Sequence, residues 1–487
     1  MKRLAAGTTK RLVRLLIYGS IGVVIAVVSA AVYVLNSKSD LEVWHLVHLD
    51  EEFTVKSDVD SFEKYLALED RLFVQLEELV TSRIDAKDRK PLNRYFAESR
   101  AAPERWDRNW NRTFELAAEN PRAGFLLLHG MSDSPYSLRG IGERLHEAGA
   151  HVVGMRMPGH GTAPSGLVHA TWEDMAAAVR IGVRHVRSRI GDKPLFLVGY
   201  SNGAALATEY ATSMIEEDAL PRVEGLILMS PMIGVTPAAA LAIWQARLGR
   251  WFGLGKLDWN SIGPEIDPFK YQSFAVNAGV QTYRLTQDID QTMAALREAD
   301  KLGKFPPVLA ISSAVDATVT VTRLIDVLMA RLPEGGHELV LIDVNRNAEL
   351  EELLKHDPKE ELTRHLGDAG QDFALTVITN VSEDSRQVLV RQRAPGSSQP
   401  TKTALDLEWP EDLFSLGHLA IPFERNDPLY GIVHNPTAKH IQIGCAALRG
   451  ERGVLSISPG DMLRIRFNPF YSFLEERILE RTGMTPD

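Results

Sequence analysis

Cys445 is the only cysteine among 487 residues, so no disulfide can form within the chain and no cysteine-rich metal site is available. The fourteen histidines never fall in an HExxH pattern, and no Gly-rich loop ends in Lys-Ser or Lys-Thr. Neither a metal, a nucleotide nor any other cofactor is implied. Basic charge is scarce as well: 54 Lys and Arg against 64 Asp and Glu leave a net charge of −10. After the N-terminus there is no basic run of the kind that nucleic-acid phosphates require. What is present is ordinary globular composition, 45% hydrophobic and 24% charged. The length suits one large α/β domain with additions, or two ordinary domains.

One uncharged apolar run stands near the start, LLIYGSIGVVIAVVSAAVYVL from Leu15 to Leu35. About 20 apolar residues are what a helix needs to cross a bilayer core, so residues 15–35 are expected to be a transmembrane helix. The competing reading is a cleaved signal peptide, with Val28, Ser29 and Ala30 as a loose cleavage site; its apolar region is usually shorter. Lys2, Arg3, Lys10, Arg11 and Arg14 precede the run, whereas Lys38 after it is followed by Asp40 and Glu42. The positive-inside rule then puts residues 1–14 in the cytoplasm and the rest of the chain outside it.

Residues 36–111 read as a charged helical neck, with Tyr65, Leu68, Leu72, Leu76 and Val80 at helical spacing against the domain that follows. From residue 112 to 487 short apolar runs alternate with helical stretches: FLLLH at Phe125, HVVGM at His151, LFLVG at Leu195, GLILM at Gly225 and VLAIS at Val308. Such alternation predicts a mostly parallel sheet buried on both faces by helices. Two stretches break the rhythm. Residues 232–305, rich in Ala, Leu, Trp and Phe, are expected to be a helical lid. Residues 345–409 form a second insertion, with a charged helix ELEELLKHDPKEEL, possible strands FALTVIT and QVLVRQR, and a loop-like RAPGSSQPTK from Arg393.

The chemistry is carried by GYSNG, residues 199–203, set directly after the apolar LFLV and directly before AALATEYATSM. This is the G-x-S-x-G nucleophile elbow in its required setting, with Ser201 as nucleophile. Gly199 and Gly203 relieve a strand-to-helix turn too sharp for flanking side chains. A hydroxyl needs a base and the base an orienting acid, in the chain order Ser, Asp, His. Asp316 closes the strand VLAISSAVD, although it also suits a helix N-cap. His418 in SLGHLAIPF has the most confined surroundings of the histidines that follow; His337, His356 and His365 are the alternatives. The oxyanion donors are expected to be the backbone N–H groups of Asn202, next to the nucleophile, and Met131, in the loop after FLLLH. His129 is expected to shape that loop.

Four segments, LLLHGMSDSP from Leu126, MRMPGHGTAP from Met155, GYSNG, and the pair VDATV with GHLAIPF, resemble the α/β-hydrolase superfamily. The closer similarity is to its monoacylglycerol-lipase-like and serine-aminopeptidase-like branch. The resemblance covers roughly residues 112–467 and implies a triad of Ser201, Asp316 and His418, with His160 shaping the site. It departs from compact members in the long segment before His418, and in Asn202, which stands where an apolar residue is common. The expected activity is hydrolysis of hydrophobic carboxylic esters. Trp244, Trp251, Phe252, Phe269 and Phe274 offer apolar surface within the lid, or else form its core. The same machinery would serve an aminopeptidase or an acyltransferase, and a silent envelope binding protein is the remaining class. Glu265 and Asp267 would favour the peptidase reading if they faced the site. Oligomeric state is left open.

Overall fold

A computed structural model describes residues 38–234, 255–447 and 464–485, with residues 15, 17–23, 25, 26, 29, 451, 454, 455 and 460. All five apolar runs are strands. In chain order the main strands are β1 (Phe114–Leu116), β2 (Gly124–Leu128), β3 (His151–Met155), β4 (Leu195–Tyr200) and β5 (Gly225–Met229). A small hairpin follows, β6 (Trp259–Ser261) and β7 (Phe274–Ala275). Then come β8 (Val308–Ser313), β9 (Glu338–Ile342), β10 (Ala374–Asn380), β11 (Gln387–Arg393) and β12 (Thr401–Glu408). Ten of them form one sheet in the order β1-β3-β2-β4-β5-β8-β9-β10-β11-β12. From β3 to β10 neighbours are parallel, while β1, β11 and β12 run antiparallel to theirs.

Successive strand residues face opposite sides of the sheet. Leu126, Val153, Leu197, Leu226 and Ala310 therefore enter one core, and Phe125, Val152, Val198, Ile227 and Leu309 the other. Both faces are apolar, which is why none of these runs alternates with polar residues. Against one face or the other pack α1 (Phe62–Leu79), α2 (Arg139–Glu147), α3 (Trp172–Ile190), α4 (Asn202–Glu216), α5 (Val276–Glu298), α6 (Lys359–Leu366) and α7 (Tyr471–Thr482).

The expected lid, residues 232–305, includes a helix of the main core. Its last third is α5, whose Leu285, Ile289, Met293 and Leu296 are buried in the core beside α4. Trp244, Trp251 and Phe252 lie outside the described residues. Phe269 is buried: its ring stacks on Tyr136 at 4.4 Å in a cluster with Phe423 and Tyr430. Phe274 is half-buried against the main core.

The second insertion widens the sheet. FALTVIT and QVLVRQR are β10 and β11, and β12 adds a further strand where a loop was expected to run on through Lys402. As an exposed edge strand β12 has no need of an apolar run, so its signal was weak. The charged helix is also divided. Pro358 stands at the N-cap of α6, since a proline inside a helix would clash with the preceding turn, and upstream only a single turn forms, Glu351–Leu353.

Within residues 38–111 the long helix is α1; short turns make up most of the rest. It docks through Tyr65, Leu68 and Leu72, all buried, and through charge. Arg156, wholly buried, pairs with Glu69 at 3.1 Å and Glu52 at 3.0 Å, while Glu69 also accepts from Thr113. Much of the run from Leu15 to Leu35 lies outside the described residues. The positions described there are helical and exposed, and among the described residues no helix is long and apolar enough to cross a membrane.

Candidate active site

Ser201 sits between the last residue of β4 and the first of α4, with φ 54° and ψ −114°. For a residue with a Cβ this is a strained conformation, the kind held at functional sites by the structure around it. The surroundings leave no alternative. A Cβ on Gly203 would lie 1.9 Å from the carbonyl oxygen of Leu128, and one on Gly199 would lie 2.4 Å from Ala204 Cα. The two glycines let β2, β4 and α4 close on one another, and that closure lifts the serine above the carboxyl ends of the strands.

Three side chains from distant parts of the chain meet there. His418 Nε2 is 3.0 Å from Ser201 Oγ and His418 Nδ1 is 2.7 Å from Asp316 Oδ2. The other carboxylate oxygen of Asp316 accepts the N–H groups of Thr318 and Val319 at 2.8 and 3.0 Å. The residue thus does what an N-cap does and still presents its second oxygen to the imidazole. Because an ionised carboxylate can only accept, Nδ1 must carry the proton and Nε2 is left with a lone pair for the serine. Ser201, Asp316 and His418 are each at most 7% exposed, and in surroundings of low dielectric such contacts strengthen.

Asn202 follows the serine, and Met131 follows Gly130, on which a Cβ would lie 3.2 Å from Ser201 Cβ. Neither backbone N–H has an acceptor among the described residues, and the amino end of α4 adds its partial positive charge. His129 lies apart from the relay. Its Nε2 accepts from Met157 N–H at 3.0 Å, which leaves Nδ1 to donate to Gly130 O at 2.9 Å. His160 is buried beside it and hydrogen-bonds Pro158 O. Burial holds His129 well below the usual imidazole range and His160 at about 3, so both are neutral wedges between loops.

The alternative histidines are elsewhere. His337 precedes β9 at the amino end of the strands and bonds Val308 N–H; His356 and His365 lie near Glu361 on the second insertion. Glu265 and Asp267 are committed to internal partners. Glu265 accepts the N–H groups of Gln272 and Ser273. Asp267 accepts from Tyr430 Oη, Phe269 N and Lys270 N, with Arg466 3.7 Å away.

Sequence reasoning missed what steadies the loop that carries Met131. Lys270 Nζ reaches Ser132 Oγ at 3.1 Å and Asp133 Oδ1 at 2.9 Å, and Tyr271 N–H donates to Ser132 O at 2.8 Å. Ser132 itself has φ 63°. The one signal was a lysine next to tyrosine in the aromatic PFKYQSF stretch.

The serine aminopeptidase S33 family matches residues 119–343, a stretch that holds Ser201 and Asp316 and stops short of His418. A thermostable monoacylglycerol lipase from a Bacillus species is 27% identical over 179 residues, 37% of this chain and 66% of the relative. Phospholipase YtpA from Bacillus subtilis is 27% identical over 150 residues, 31% of this chain and 52% of the relative. The chain thus spans between half and two thirds of the length of these relatives. Among solved structures, Paleococcus ferrophilus monoacylglycerol lipase aligns with TM-score 0.35 and 18% identity, covering 47% of this chain and 86% of that one. Taken with the parallel sheet and the elbow at the end of β4, the family match identifies the chain as an α/β-hydrolase resembling the monoacylglycerol-lipase-like and serine-aminopeptidase-like branch.

Proposed function

We propose that the chain is a membrane-anchored serine hydrolase that cleaves hydrophobic carboxylic esters through an acyl-enzyme on Ser201. The observation that carries this reading is the continuous relay from Ser201 Oγ through His418 to Asp316. As Oγ attacks the ester carbonyl carbon, its proton passes to His418 Nε2, and Asp316 stabilises the imidazolium that results. The carbonyl oxygen takes the negative charge and is received by the N–H groups of Met131 and Asn202. Collapse breaks the bond to the leaving alkoxide, which takes the proton from Nε2. Water then repeats the sequence, releasing the acid and restoring the serine.

Hydrophobic esters are favoured over peptides because Glu265 and Asp267, the acids nearest in sequence to a role in holding a substrate ammonium, are occupied by internal donors. The names of the two relatives, monoacylglycerol lipase and phospholipase, point the same way. Met232 N–H bonds Ser201 O at 3.1 Å, so the apolar Met232 and Ile233 lie beside the nucleophile. A fluorophosphonate probe should label wild type and leave Ser201→Ala untouched. Rates on p-nitrophenyl esters of graded length should exceed those on aminoacyl p-nitroanilides. Anilide cleavage that depends on Ser201 and outruns every ester would replace this reading with the peptidase one.

The anchor is residues 15–35, with the hydrolase outside the cytoplasm. Support comes from the uncharged length of the run and the basic residues before it. In spheroplasts of a bacterial host expressing the full chain, added protease should digest the hydrolase. A protected domain, or a mature chain beginning near Ala31, would refute it.

A further inference from the structure

At the β1 edge of the sheet, three strands from the one that carries Ser201, three side chains converge that the relay does not use. Glu115 lies on the edge strand β1 opposite Val153, so Glu115 and His151, two residues before Val153 on β3, share one face of the sheet. Helix α3 crosses that face and adds His185. Glu115 Oε1 is 2.9 Å from His151 Nε2 and 3.1 Å from His185 Nε2, and one donor atom from each residue lies within 4.8 Å of the others.

Hydrogen bonding explains only part of the arrangement, since His185 Nε2 bonds Glu115 Oε1 at 3.1 Å and His151 does not. His151 is 1% exposed, yet its Nε2 makes no hydrogen bond despite an oxygen at 2.9 Å. The pair has the distance of a bond without its direction. That is the relation expected of two donors sharing a cation, whose axes cross at the ion instead of pointing at each other. With ligand bonds of about 2.0–2.2 Å, donors around a tetrahedral zinc ion stand roughly 3.3–3.6 Å apart, so the contacts at 2.9 and 3.1 Å need open by only a few tenths of an ångström to admit the ion.

We infer that Glu115, His151 and His185 form a divalent-cation site, of zinc-like preference, that clips the edge strand β1 to β3 and α3. Two imidazoles and one carboxylate are a borderline donor set, suited to zinc rather than calcium or magnesium. Water would supply the fourth ligand on the side of Glu115, the most exposed of the three. The present occupant of that side is Arg189, whose Nε is 3.3 Å from the same oxygen on a side chain 51% exposed; a cation would displace it. The His185 ring also stacks on Phe62 of α1 at 3.9 Å, so an ordered His185 would steady the neck as well.

The test uses the full chain, free of histidine tags and stripped with a chelator, titrated with cobalt(II) and zinc(II). Wild type should give a visible cobalt spectrum that saturates at one equivalent and is erased by zinc. Zinc should also raise the unfolding midpoint by about 2–5 °C. Glu115→Gln and His185→Ala should lose both signals and Ser201→Ala neither, which separates this site from the relay. Arg189→Ala should bind about tenfold tighter, because a cation beside the site is removed. Absence of a one-to-one signal in wild type, or an unchanged signal in folded Glu115→Gln, overturns the site. Should the variants not fold, X-ray absorption of zinc-loaded wild type decides: two imidazoles in the ligand shell are expected, and a shell without histidine refutes it.

Discussion

Replacing Asp316 with Asn should disable the base while leaving the fold in place, and the geometry says why. Asp316 Oδ1 receives two backbone N–H groups, from Thr318 and Val319, at 2.8 and 3.0 Å. An amide in its place must keep its oxygen there, because its NH2 would meet two donors head on. The NH2 is thereby turned toward His418 Nδ1, which lies 2.7 Å from the other carboxylate oxygen. Nδ1 must then accept, the ring proton moves to Nε2, and the atom facing Ser201 Oγ has no lone pair. Loss of the working tautomer in a serine triad costs about 10⁴ in kcat, equivalent to about 5.4 kcal/mol in the barrier. The assay is ester turnover beside the rate of fluorophosphonate labelling, with circular dichroism as the check on folding. Folded Asp316→Asn within tenfold of wild type would show that the carboxylate does not set the tautomer, and the relay would need another acid.

His418→Ala should be folded and inactive, whereas His356→Ala and His365→Ala should turn over esters at close to the wild-type rate; the reverse pattern would move the base into the second insertion. Gly203→Ala should lower stability by about 3 kcal/mol or more, since its methyl meets Leu128 O at 1.9 Å in a packed turn; an unchanged melting point would contradict the described turn. Burial holds His45 and His337 at about 4 and His160 at about 3, below the unfolded value of about 6.5. The unfolded chain therefore binds more protons as pH falls, and each group should remove about 1.4 kcal/mol per pH unit from about 6.5 down to its folded value. Urea unfolding at pH 7, 6 and 5 measures this, and a flat profile would refute the burial of these rings.

The strands of the parallel sheet were legible because burial on both faces leaves an unmistakable run of apolar residues. The elbow was legible because its two glycines answer a steric demand that GLY-x-Ser-x-GLY spells out locally. The side chains that meet at Ser201 were suggested by chain order and surroundings, a weaker guide: nothing near Asp316 in sequence says that its second oxygen is free to face an imidazole 102 residues away. What stayed hidden was set by tertiary partners. α5 carries enough Ala, Thr and Gln to pass for part of a lid, and only its packing on α4 shows it to be a layer helix. Lys270 becomes a brace of the loop that carries Met131 only once the insertion folds back onto Asp133.

The second insertion leaves and re-enters the domain at one point. Asn345 N–H donates to Phe414 O at 2.8 Å and its side-chain amide to Leu413 O at 2.8 Å, so nearly seventy residues hang from a closed clasp just upstream of His418. A segment tethered in this way can lengthen, shorten or gain a strand without transmitting the change along the backbone to the imidazole. β10, β11 and β12 thus extend the sheet sideways while the reacting atoms keep their positions.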